Sequence, residues 1–116
     1  MAQYLLLFIG RQADYDPDDR ETLEYNAKWG EWMKDLADSG ALVSGSPLAP
    51  EGREVTADGV SDLDVDTIDL GGFVVIEAES EEEALEVAGS TPHIARAVAK
   101  NSPHARTIVR PCVQPD

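Results

Sequence analysis

Cysteine is nearly absent: Cys112 is the single one in 116 residues. No intramolecular disulfide can form, so burial and hydrogen bonds must hold the fold, and the composition suits a reducing compartment. Basic residues are scarce too. Nine Lys and Arg stand against 23 Asp and Glu, a formal net charge of −14. This argues against a nucleic-acid partner, because phosphate binding is driven by Lys and Arg displacing counterions. Histidine occurs twice, at His93 and His104, with no Cys or Glu at ligand spacing. No metal motif results, and no cofactor is expected. Long hydrophobic runs are also missing. The apolar run at 4–9 has no basic segment before it and no small-residue cleavage site after it. It is too short for a signal peptide or a transmembrane helix, so a cytoplasmic protein with no membrane partner is expected.

What is present suits one domain spanning 1–116, since a chain of this length can bury a core without staples. The acidity has two readings, simple solubility or adaptation to high salt; twelve Asp and three Lys are compatible with both. Residues 4–9 (YLLLFI) and 73–78 (FVVIEA) read as strands that are apolar on both faces. Such strands need cover on both sides and belong in the middle of a sheet. Residues 41–46 (ALVSGS) and 106–109 are shorter strands. Residues 53–56 read as an edge strand followed by an Asp58-Gly59 turn, and the stretch 58–69, with five Asp and no basic residue, as an exposed loop or frayed edge.

Asp16-Pro17-Asp18-Asp19 is a helix start, with a capping side chain, proline at the first position and acids at the positive dipole end. Tyr25, Trp29, Trp32 and Leu36 step by 4, 3 and 4, with Met33 and Ala37 widening the stripe, and Gly40 stops the helix. The spacing predicts a helix over 17–39. Ser80 with Glu83 forms a capping box before a helix over 81–88 that turns Ala84, Leu85 and Ala88 inward. Thr91-Pro92 opens a further short helix reaching about Lys100. The order β-α-β-β-α-β predicts an α+β, ferredoxin-like antiparallel sheet with its helices on one face.

Several segments resemble the YCII-related (DGPF-domain) family. They are QYLLLFIG at the start, Lys28-Trp29-Gly30-Glu31-Trp32, the run from Gly40 through Leu48, Gly71-Gly72-Phe73-Val74-Val75-Ile76-Glu77-Ala78, Ser80 with Glu83-Ala84, and Ile108-Val109-Arg110-Pro111. The resemblance implies a ferredoxin-like fold pairing into a dimeric α/β barrel, with a cleft between helices and sheet. Some relatives of this kind act on small ring compounds. Asp58-Gly59 is followed by Val60-Ser61, so the DGPF signature is not reproduced. One branch of the family carries a catalytic His-Asp pair, and the matching positions here hold Trp29 and Thr91.

Candidate site residues follow. His93, at the start of the short helix, could serve as a general acid or base or be a surface residue of the first turn. Trp29 lies on the buried stripe, as core or as a wall of the implied cleft. Thr91 takes the position of the branch's Asp. Ser44 and Ser46 lie on the strand after the first helix, outside any nucleophile elbow. Arg11, after the first strand, could hold a carboxylate. Two functions remain open: a small-molecule-binding or regulatory module, and a lyase or isomerase using His93. The two-faced strands argue for a homodimer, because helices on one face leave an apolar face to be covered.

Overall fold

A computed structural model describes residues 2–10, 20–49, 51–63, 70–99 and 105–113. Its order is β1 (Ala2–Ile9), α1 (Arg20–Asp38), β2 (Leu42–Pro47), β3 (Arg53–Thr56), β4 (Gly59–Asp62), β5 (Leu70–Ala78), α2 (Glu81–Gly89), α3 (Pro92–Ala99) and β6 (Arg106–Pro111). Four strands form one antiparallel sheet in the order β2-β5-β1-β6. The two strands with apolar residues on both faces are thus adjacent and central, as their sequences require. The predicted helix start at Asp16-Pro17 lies outside the described residues.

Alternation sorts the side chains. Tyr4, Leu6 and Phe8 of β1, with Val74, Ile76 and Ala78 of β5, are buried on one face. Leu36 of α1 and Ala84 and Ala88 of α2 complete this core. His93 of α3 meets Phe8 on the same side. All three helices therefore cover one face, the ferredoxin-like arrangement. The other face carries Leu5, Leu7 and Ile9 beside Phe73, Val75 and Ile108, as the register dictates.

Four local expectations change. β5 begins at Leu70 and includes Gly71-Gly72, because a Cβ at position 72 would sit 3.0 Å from the Ser46 carbonyl. Glycine lets β2 and β5 pair there. Leu85 is 51% exposed, and Val87 instead packs beside Ala84 and Ala88. The inward stripe of α2 is 84-87-88, where two alanines allow close approach to the sheet. Ala37 is exposed and does not widen the inward stripe of α1, whereas Thr22, in line with Tyr25, Trp29 and Leu36, is buried. Finally, β3 pairs with β4 in a separate two-stranded sheet and does not extend the main one.

Capping confirms the remaining boundaries. Gly40 adopts φ 82°, the left-handed stop for α1. Ser80 Oγ accepts from the Glu83 N–H at 3.2 Å, and the Glu83 carboxylate accepts from the Glu79 N–H at 3.0 Å, one residue before the cap itself. Residues 58–62, the described start of the acidic stretch, are exposed as expected, but 59–62 are strand β4 paired with β3 and not loop; 64–69 lie outside the described residues. No helix among the described residues is long and apolar enough to cross a membrane.

Candidate functional site

The aromatic stripe of α1 lands on β1. Trp29 meets Phe8 edge-on at 5.0 Å between ring centroids, Trp32 at 5.4 Å and Tyr25 at 6.3 Å. Arg96 of α3 lies over the Tyr25 ring at 4.7 Å. His93 also meets Phe8, at 5.9 Å between ring centroids. Trp29 and His93 thus share Phe8 as a neighbour.

The hydrogen bonds of His93 define its chemistry. Nε2 lies 2.9 Å from the Ile9 carbonyl and 3.2 Å from the Arg106 carbonyl. Both partners are acceptors, so Nε2 carries the proton and donates to both. Ile9 and Arg106 are register partners at one end of the β1–β6 ladder. His93 therefore closes that end and ties α3 to two strands. Nδ1 has no hydrogen bond among the described residues. His93→Ala is expected to destabilise the fold by about 2 kcal/mol, from lost hydrogen bonds and ring packing. Chemical denaturation measures it; a loss below about 0.5 kcal/mol would show that the two carbonyl contacts hold nothing.

Thr91 is fully buried. Its Oγ1 donates to the Ala88 carbonyl at 3.1 Å and accepts from the Ile94 N–H at 3.3 Å, linking the end of α2 to the start of α3. Ser44 and Ser46 sit far from this cluster in register, on edge strand β2 opposite Val75 and Phe73, and both are exposed. Ser46 Oγ donates to the Pro47 carbonyl at 2.8 Å. Arg11 and His104 lie outside the described residues. Of the six candidates, the structure brings Trp29, Thr91 and His93 to the helix side and leaves the serines on the other face.

A cavity lies elsewhere. A groove of about 350 Å³ opens between α1 and α2, lined by Trp32, Asp35, Leu36, Ser39, Val87 and Ser90. Trp32 Nε1 donates to Ser90 Oγ at 3.0 Å and so spans the two helices. Sequence reasoning placed Trp32 and Leu36 on the inward stripe but passed over Asp35, Ser39 and Ser90. Position 35 was legible as the flank of that stripe. Ser90 was not, because only the packing of α2 brings it to α1.

A β6-β1-β5-β2 antiparallel sheet with helices on one face defines a ferredoxin-like α+β protein. The model of the YCII-related domain matches residues 2–105, and the chain belongs to that family. No curated protein matches the sequence. Among solved structures, the chain is similar to 5-chloro-2-hydroxyhydroquinone dehydrochlorinase (TftG) from Burkholderia phenoliruptrix AC1100, in complex with 2,5-dihydroxybenzoquinone. The likeness covers 97% of this chain and 95% of that one, with a TM-score of 0.57 and 18% identity. It supports a common fold.

Proposed function

We propose that this YCII-related chain is a cytoplasmic, homodimeric small-molecule-binding module, with the α1–α2 groove as its ligand site. The observation that carries the reading is that the positions of the family branch's His-Asp pair hold side chains with no acid-base function. His93 Nε2 is held as a donor by the Ile9 and Arg106 carbonyls, so only Nδ1 is left to exchange a proton. Trp29, in the place of the family branch's histidine, packs among Phe8, Tyr25 and Trp32. Thr91, in the place of its acid, is buried and hydrogen-bonded to the helix backbone. The α1–α2 groove supplies room for a ligand without a titratable histidine.

The competing reading is a lyase or isomerase acting on small ring compounds, with His93 Nδ1 as the acid or base. It draws on the dehydrochlorinase whose fold the chain shares. Chloride release from 5-chloro-2-hydroxyhydroquinone separates the two. The expected result is no release above the protein-free control, and none that differs between wild type and His93→Ala. Release by the wild type that His93→Ala abolishes would establish the enzyme.

The homodimer follows from the open face of the sheet. Leu5, Leu7, Ile9, Phe73, Val75 and Ile108 adjoin one another there. Such a patch measures several hundred Å² by rough reckoning, more than monomers usually leave bare. A second copy related by a two-fold axis covers it with the same surface.

A further inference from the structure

The groove between α1 and α2 has an electrostatic character that names its ligand class. Its lining comes from the C-terminal parts of both helices: Trp32, Asp35 and Leu36 near the end of α1 and Ser39 just past it, Val87 near the end of α2 and Ser90 at its C-cap. The two helices run antiparallel, so the negative end of the α2 dipole opens onto one end of the groove at Ser90, beside Trp32, and that of α1 onto the other at Ser39. Neither helix has a basic residue in its last turn to offset that potential. Asp35 adds a carboxylate, which forms no ion pair among the described residues. The chain as a whole carries −14 and attracts cations at long range.

The hydrogen-bonding groups point the same way. Ser39 Oγ donates its hydrogen to the Leu36 carbonyl at 2.7 Å, and Ser90 Oγ donates to the Val87 carbonyl at 2.7 Å. Trp32 Nε1–H, the indole's only donor, is taken by Ser90. Each side-chain hydrogen in the lining is thus already used. What remains toward the groove is hydroxyl lone pairs, a carboxylate and an indole ring, above the aliphatic side chains of Leu36 and Val87. An anion would find no donor there. A neutral polar ligand would find acceptors alone.

Resting on the reading of this groove as the ligand site, we propose that it binds a small organic cation, an amine or quaternary ammonium with a compact apolar body. The charge is held by the Asp35 carboxylate and the Trp32 ring, and the apolar part lies on Leu36 and Val87.

The test uses the full chain labelled with ¹⁵N and three probes of one shape: choline, its neutral isostere 3,3-dimethylbutan-1-ol, and the anion 3,3-dimethylbutanoate. Each is titrated at constant ionic strength while the Trp32 indole N–H resonance is followed. Choline is expected to move that resonance saturably, at least about fivefold more tightly than the alcohol, with no saturation by the anion. Asp35→Asn, an exposed and nearly isosteric change, is expected to weaken choline by about fivefold or more while circular dichroism and the melting curve stay as in wild type. Saturable binding of the alcohol or the anion as tight as choline's would overturn the cation assignment and leave the groove as a binding site. Choline binding unaltered in Asp35→Asn would overturn the assignment as well. If none of the three moves the resonance, both the assignment and the groove as a ligand site fall.

Discussion

Leu7→Glu is expected to convert a dimer of about 25 kDa into a folded monomer, given a chain mass of 12.5 kDa. Leu7 sits at the centre of the open sheet face, between Phe73 on β5 and Ile108 on β6. In a face-to-face dimer a glutamate there is taken out of water with no cation provided for it. The penalty is several kcal/mol per buried ion, and two-fold symmetry applies it twice. The same side chain in a monomer faces solvent and costs little. Sedimentation at micromolar concentration and moderate salt reads the outcome directly. A wild-type chain that sediments as a monomer would remove the dimer. A Leu7→Glu chain that still sediments at twice the chain mass would move the interface to another surface.

The neighbouring residue should behave in the opposite way. Leu6 is fully buried on the helix side, paired with Val74 and Val109 across the two adjacent strands. Leu6→Ala removes a large side chain from a core whose neighbours are held by two strands and cannot collapse freely. The expected loss is about 3–4 kcal/mol, the transfer term plus the cavity left behind. That is a large part of the roughly 5–15 kcal/mol by which domains of this kind are stable. Urea denaturation with the slope unchanged is the measurement. A loss below about 1 kcal/mol would mean that the Leu6 side of β1 is not the core side. One residue apart on a single strand, the two substitutions separate fold from assembly.

The placement of both leucines on a central strand is legible in the sequence. Both faces of 4–9 and 73–78 are apolar, and that pattern alone demands central strands, since an edge or a one-sided sheet would leave one set wet. Periodicity placed Trp29, Trp32 and Leu36 on one helical stripe, and all three pack against the sheet. Other assignments failed where local pattern met a specific surface. Leu85 looked inward because it is apolar and next to Ala84, yet the close approach of α2 to the sheet favours the 84-87-88 line. Gly71-Gly72 looked like a break before a strand. It is strand, because the facing backbone of β2 leaves no room for a Cβ at position 72.

The candidate site divides along the same line. His93 was legible as a histidine at a helix start, which is a statement about sequence neighbours. Its hydrogen bonds reach residues 84 and 13 positions away, and they tie α3 to two strands through Nε2. Trp29 was legible as buried but not as the partner of Phe8. The groove was not legible at all. Asp35 and Ser90 are 55 positions apart, and no periodicity relates them.

Chain composition and short-range pattern by themselves determined the class of fold, the central strand pair, the helix caps at Ser80 and Thr91, the acidity and the lack of a disulfide. These depend on interactions within a few residues or on sums over the chain. Tertiary structure alone decided which carbonyls hold His93, which face of β1 meets the helices, and that Asp35 and Ser90 line one groove. These depend on where separate elements come to rest. That placement is set by packing across the sheet, where Tyr4, Leu6 and Phe8 take the helix side and leave Leu5, Leu7 and Ile9 to the other.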